Sequence, residues 1–490
     1  MQGLNEQLAR VTDSFAFIIP ELILVAGVVV LLTLGLFIKK NNLLFNLLAS
    51  VTAISSLVYM FTSTTGASVE LFNGMLVRDG FGNFLILLID ASVVLTCLMS
   101  LRPADYRHLS EYYALILSVA AGGHFLLMST NLVMVFLSLE LISICSYVLA
   151  GYKFDRTGSE GTLKYFIYGS IASAVMLYGF TILYGLSGTL DFNSELFFDS
   201  LIDNPSPMLL IGGLMALAGF LFKMAAVPMQ MWAPDVYEAA PIPVIAFLSV
   251  APKVAAIGVL IKFLLAVNLF GQGMFDWQLV VAGIAILTIT FGNLAALWQK
   301  NPKRMMAYSS IAHSGFLLVG IAAFTPEAMK FMTFYAAVYT LMNFSVFAYL
   351  MHFENQGLSS MDSFAGKGGD FVWPAVGITF GFVALTGLPP TGGFTAKVFI
   401  FSSLWESYQQ SHKSLLFWLL VIGLINTVIS LFYYLRIPYY AFIRTAEIRV
   451  SQKNAGFENL LGLILVVMVV VIFFIPGLLM GLINRINFVF

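Results

Sequence analysis

The sequence predicts an all-α polytopic membrane protein of about fourteen transmembrane helices, built on two inverted five-helix repeats (spans 4–8 and 9–13), each with a discontinuous helix. Three observations predict it. Only 10% of the 490 residues are charged, against about 25% in an average soluble domain. The residues AVILMFWYC make up 60%, and the mean hydropathy is +0.92. Apolar runs long enough for a bilayer follow one another along the chain, and two of them are interrupted by proline and glycine. This composition excludes a disordered, collagenous or ordinary secreted protein. With 24 Lys and Arg against 25 Asp and Glu, there is no basic excess to attract nucleic acid.

A helix needs about 20 apolar residues to cross the hydrocarbon core. Candidate spans lie near 15–38, 43–62, 81–100, 112–128, 131–150, 163–187 and 208–227. The remainder lie near 242–266, 277–298, 305–325, 331–352, 371–400, 415–437 and 459–484. The run from Phe15 to Ile38 is long enough to span, so it reads as a first helix and not as a cleaved leader. The organisation expected is a three-helix region over 1–110, one repeat over 111–268, a second over 269–441, and a last helix within 442–490.

An even number of spans puts both termini on one side, and Lys and Arg choose the side. Of the twenty basic residues outside the spans, fifteen fall in odd-numbered loops, among them Lys39, Arg102, Arg107, Lys153, Lys303, Arg304, Arg449 and Lys453. Only Arg10, Arg78, Lys330, Lys413 and Arg485 fall in even loops or termini. The odd loops are therefore expected in the cytoplasm and both termini outside. The loop after span six agrees, with Asp191, Glu195, Asp199 and Asp203 and no basic residue.

The first interrupted segment, Phe220 to Val244, carries Pro228, Pro234, Pro241 and Pro243. The second, Ala384 to Phe401, carries Gly387, Pro389, Pro390, Gly392 and Gly393. Proline removes a backbone donor and clashes with the preceding turn. Freed backbone survives at membrane depth only inside protein or beside a watery cavity, and paired broken helices point to a transport site. Simple kinks or an interfacial hairpin are the plainer readings.

Four lysines lie inside spans: Lys223, Lys253, Lys262 and Lys397. A lysine at a helix centre costs about 2.5–3.5 kcal/mol on insertion scales. Lys223 precedes Pro228, Lys397 follows Gly393, and Lys253 follows Pro252. Lys262, near the end of span eight, reads as a snorkelling residue. Among the acids, Glu140 in VFLSLELISICSY is mid-span and must be protonated or paired. Asp90 is also mid-span and is open between a structural hydrogen bond and a path residue. Glu21, near a span start, reads as interfacial. His313 in AYSSIAHSG is either a packed neutral imidazole or a proton carrier.

Glu140 and Lys223 are 83 positions apart, and His313 and Lys397 are 84 apart. This matched spacing suggests the repeat. Five helices per unit, an odd number, make the second unit inverted. A lysine whose carboxylate partner moves nearer or farther changes its hold on a proton, so a string of such groups can relay protons. Cys97 and Cys145 are too few for a four-thiolate cluster, and the chain has no Walker A or haem-attachment motif.

The stretches SLELISICSYVLAGY, FKMAAVPMQMWAPDVYEAAPIPVIAFLSVAPKVAA, NPKRMMAYSSIAHSGFLLVG and LTGLPPTGGFTAKVFIF resemble the antiporter-like membrane subunits of respiratory complex I. The resemblance is greatest to the subunit N branch of bacterial NADH–quinone oxidoreductases. It implies a proton-translocating subunit of a bacterial inner-membrane complex, with Glu140, Lys223, Lys253 and Lys397 as the relay. Lys397 stands where the related subunit M has glutamate. The resemblance also implies no cofactor in this chain: NAD, FMN, iron–sulfur clusters and quinone belong to partner subunits. The implied neighbours are subunits M and K, the lateral helix of subunit L, and the lipid bilayer. Gln230 stands where relatives often have His, and EAAPIPV replaces EGAPTPV. A subunit of an Mrp-type sodium–proton antiporter or of a membrane-bound hydrogenase-type complex is the main alternative. A stand-alone symporter and a plain membrane scaffold are the others.

Overall fold

The computed structural model describes residues 8, 11–63, 68–101, 108–203, 206–267, 275–445 and 456–486. Arg10, Arg102, Arg107, Arg449 and Lys453, counted above for sidedness, lie outside the described residues, as do the expected junction at 268–269 and the side chain of Asp203.

Among the described residues the regular structure is helical, apart from one short hairpin and two isolated bridges. Helices run α1 Ile19–Phe37, α2 Asn42–Ser63, α3 Gly80–Met99, α4 Leu109–Met128, α5 Leu132–Ala150, α6 Arg156–Ser187, α7 Glu195–Asp203 and α8 Pro207–Met224. They continue as α9 Ala233–Ala239, α10 Ile242–Leu248, α11 Ala251–Ala266, α12 Trp277–Ala296, α13 Pro302–Ala323 and α14 Pro326–Asn355. The last are α15 Val372–Thr386, α16 Gly392–Ser411, α17 Ser414–Tyr434, α18 Arg436–Phe442, α19 Phe457–Phe474 and α20 Gly477–Ile483. Strands β1 Val69–Leu71 and β2 Leu76–Arg78 pair antiparallel, with Val69 opposite Arg78.

Thirteen spans among the described residues are long and apolar enough to cross a membrane. Between α14 and α17, where the interrupted span is expected, stand the shorter apolar helix α15 and, after a break at 387–391, the more polar α16. Helix α16 runs on past the expected end at 400, because Trp405, Glu406, Gln409 and Gln410 hide a helix from a hydropathy reading. Local signals set many ends. Asp79, Asn131, Asp155, Asn301 and Thr325 each cap a helix by accepting a backbone N–H. Gly188 and Gly387 end α6 and α15 with left-handed backbone.

Two compact units result. The first comprises 1–224, 251–277 and 485–490, and the second comprises 225–250 and 278–484. In the first, α4 and α11 are the most buried helices and pack on each other; α1, α3 and α5 also pack against α4, and α6 packs along α8. In the second, α13 and α14 are the buried spans, packed by α9, α10, α15, α16, α17 and α19. The outer helices bear the exposed apolar side chains expected of a lipid- or partner-facing surface, such as Leu36, Phe37 and Val428.

Candidate functional site

In the first unit, Lys223 lies in the last turn of α8, where the carbonyl end of a helix favours a cation. The helix stops at Met224 because Ala225 is left-handed (φ 55°) and Pro228 follows. Lys223 is 2% exposed. Its ammonium stands 5.6 Å from the ring centroids of Tyr147 and Tyr165 and 5.5 Å from that of Phe222, an arrangement that favours the cation. Tyr147 and Tyr165 meet edge to face, 4.7 Å apart. Glu140, half-buried on α5, acts on Lys223 through its charge. Yet Lys223 Nζ and Glu140 Oε1 are both buried without a hydrogen-bond partner. No hydrogen bond locks the two together.

Lys253, on the first turn of α11, is 1% exposed. Lys262, on the same helix, does not simply snorkel. Its ammonium donates to Asp79 and, at 2.7 Å, to the carbonyl of Leu127. Asp79 is also the cap of α3, accepting from the Gly82 N–H at 2.7 Å. Lys262 therefore ties α11 to the start of α3 and the end of α4.

In the second unit, the α15–α16 interruption is built for Lys397. Gly387 (φ 83°) turns the chain, its N–H returning to the carbonyls of Val383 and Ala384 at 3.1 and 3.0 Å. Lys397, 5% exposed, reaches back to donate to the Thr386 carbonyl at 2.7 Å, and its ammonium lies 4.3 Å from the Phe316 ring centroid. His313 also neighbours Phe316, ring centroids 6.0 Å apart. Its Nδ1 meets the Tyr335 hydroxyl at 2.6 Å and its Nε2 the Tyr434 hydroxyl at 3.2 Å. Tyr434 bonds Ser309, and Ser310 joins Tyr339 at 3.0 Å and Tyr237 at 3.1 Å. Every member of this cluster of hydroxyls and one imidazole is buried. Such groups both donate and accept, so a proton can change hands between them without heavy-atom movement.

The structure also gathers groups that sequence reasoning did not join. Glu21, read as interfacial, is 0% exposed. It meets His124, which also meets Asp90. Arg78, read as a loop residue, is 6% exposed and 3.7 Å from Glu21. Burial follows because Glu21, Asp90 and Arg78 each have a hydrogen-bonding or oppositely charged partner, which a span-edge position did not reveal. Gln230 is buried in the first interruption with its Oε1 unpartnered. Among the described residues no group of three or more His, Cys, Asp or Glu is placed to hold a metal. Cys97 and Cys145 are buried free thiols.

Interrupted spans with buried lysines define an ion-handling membrane protein of the antiporter-like class. Residues 129–430 match the family described as NADH:quinone oxidoreductase/Mrp antiporter, transmembrane, and the chain belongs to that family. It is 36% identical over 449 residues to NADH-quinone oxidoreductase subunit N 2 of Chloroherpeton thalassium, covering 89% of this chain and 86% of that one. A subunit N 1 from Thermodesulfovibrio yellowstonii is 37% identical over 430 residues, with 87% and 90% covered. Among solved structures, a chain of respiratory complex I from Thermus thermophilus with bound aureothin superposes with a TM-score of 0.80 at 25% identity, over 96% of this chain and all (100%) of that one.

Proposed function

We propose that this chain is the N-type, proton-translocating membrane subunit of a multi-subunit NADH–quinone oxidoreductase, driven by redox chemistry in other subunits. The observation that carries the reading is the placement of Lys223 and Lys397 beside the two helix interruptions, both buried, with Glu140 near Lys223 but not bonded to it. In the relay, Glu140 sets how firmly Lys223 holds its proton. Lys223 passes it towards Lys253, and His313 with its hydroxyl neighbours connects to Lys397. The interruptions supply backbone carbonyls and adjustable geometry where an unbroken helix has none to offer. The Thr386 carbonyl, freed at the end of α15, serves in this way to hold the Lys397 ammonium.

The same reading places the chain in a bacterial inner membrane with both termini on the periplasmic side, as the distribution of Lys and Arg supports. The four regions bounded at 110, 268 and 441, with inverted repeats over spans 4–8 and 9–13, accord with the matched spacings of the ionisable residues. Subunits M and K and the lateral helix of subunit L are the neighbours, and NAD, FMN, iron–sulfur clusters and quinone reside in partner subunits. An Mrp-type antiporter role is the second reading, since the matching family includes both kinds. Co-purification in mild detergent separates them: flavoprotein and iron–sulfur partners support the first, small antiporter subunits the second. The role of Lys223 is tested by Lys223→Ala in the reconstituted complex. Loss of proton movement with the complex intact is expected, and unchanged movement removes the assignment.

A further inference from the structure

Away from the lysine series, α1, α2, α3, α4 and β2 bring together five polar side chains. Glu21, Ser56, Asp90 and His124 are all 0% exposed, and Arg78 is 6% exposed. His124 Nδ1 is 3.1 Å from Glu21 Oε1, and its Nε2 is 3.1 Å from Asp90 Oδ1. Ser56 donates to Asp90 Oδ2 at 2.8 Å. Arg78 Nη1 stands 3.7 Å from Glu21 Oε2, which is itself buried without a hydrogen-bond partner. Arg78 also donates to Asn83 Oδ1 at 3.2 Å and to the carbonyl of Phe17. Phe17 lines a surface hollow of about 290 Å³ with Asp13, Ser14 and Glu70.

The geometry restricts the protons. An ionised carboxylate only accepts, and a neutral imidazole has one N–H. Two carboxylates facing the two ring nitrogens therefore need one more proton than a neutral imidazole carries. That proton completes an imidazolium, or it sits on Glu21 or on Asp90. All three arrangements share the same heavy-atom positions.

We propose that Glu21, His124 and Asp90 form a second proton-holding site of this chain, separate from the lysine series, loaded from the hollow through the Arg78 end and taking part in translocation. The step balances. Protonated Glu21 Oε1 gives its proton to His124 Nδ1, while His124 Nε2 gives its own to Asp90 Oδ1. Glu21 is left ionised and Asp90 neutral, and the total is unchanged. The open Glu21 Oε2 beside Arg78 is where the next proton arrives. The other ionisable groups on these and the adjoining helices are Tyr59 on α2, Cys97 on α3, Glu111, Tyr112 and Tyr113 on α4, Glu140, Cys145 and Tyr147 on α5, and Lys253 and Lys262 on α11, the last already held by Asp79.

The inference rests on the translocation role proposed above, and the test separates the two. The complete complex is reconstituted in vesicles with the double variant His124→Gln/Asp90→Asn, which keeps the site charge-balanced and hydrogen-bonded but unable to carry the proton. Protons moved per NADH oxidised are measured across a pH series, with Lys223→Ala in parallel. The expected result is an assembled complex with a lowered ratio and a displaced pH profile. A ratio and profile equal to the parent's overturn the second site. If Lys223→Ala is then impaired, the translocation reading stands without it; if Lys223→Ala is also unaffected, both fall. Failure of both the double variant and Asp90→Asn to assemble also overturns the inference, because it assigns the cluster to structure alone.

Discussion

Lys397 and Thr386, eleven residues apart, meet across a break in the same membrane span: the lysine ammonium donates to the threonine carbonyl at 2.7 Å. In an unbroken helix that carbonyl would be occupied by the amide four residues on. Here Gly387 turns the chain away, and the carbonyl becomes the anchor for a buried cation. Lys397→Met keeps the side chain's length and removes the charge. The expected outcome is an assembled complex that oxidises NADH in uncoupled membranes yet moves fewer protons per turnover, read by a pH-sensitive dye in sealed vesicles.

Gly387 is required twice over. Its φ of 83° is left-handed, and a Cβ there would stand 2.7 Å from Lys397 Cδ. Gly387→Ala is expected to cost about 1–2 kcal/mol from backbone strain alone. It also displaces Lys397, so translocation falls with stability. A lowered thermal midpoint together with a lowered proton ratio checks this; an unchanged midpoint contradicts it.

Asp79 holds both a helix start and the Lys262 ammonium. Removing one partner of a largely buried pair costs about 3–5 kcal/mol where burial is complete. Loss of a cap adds about 1 kcal/mol. Asp79→Ala is therefore expected to lower stability substantially, with exposure of Cys97 and Cys145 to a thiol-reactive dye as the readout. Asp79→Ala/Lys262→Met, which leaves no unpaired charge, is expected to recover part of the loss. A single variant as stable as the parent shows that the pair does not brace these helices.

The features readable in the sequence were those with local causes. Apolar runs reveal helices, and Pro228 or Gly387 with Pro389 and Pro390 reveal interruptions, because each acts on its own neighbourhood. Lys223, Lys253, Lys397 and Glu140 stood out because a charge in an apolar run is costly wherever the chain folds. What escaped was set by distant partners. Glu21 meets His124 at a separation of 103 residues, and Lys262 meets Asp79 at 183. No spacing rule links such positions, so Glu21 read as interfacial and His124 drew no notice. The hydroxyls around His313 come from α9, α13, α14 and α17 and were equally invisible, although the histidine was not.

In the proposed relay Lys223 exchanges a proton and does not merely supply a charge. Arginine is always protonated, so Lys223→Arg keeps the cation beside Tyr147, Tyr165 and Glu140 but cannot release its proton. The decisive measurement is protons translocated per NADH oxidised by the complete Lys223→Arg complex in sealed vesicles. The relay predicts a ratio as low as that of Lys223→Ala, with subunit composition unchanged. A ratio equal to the parent's would contradict it.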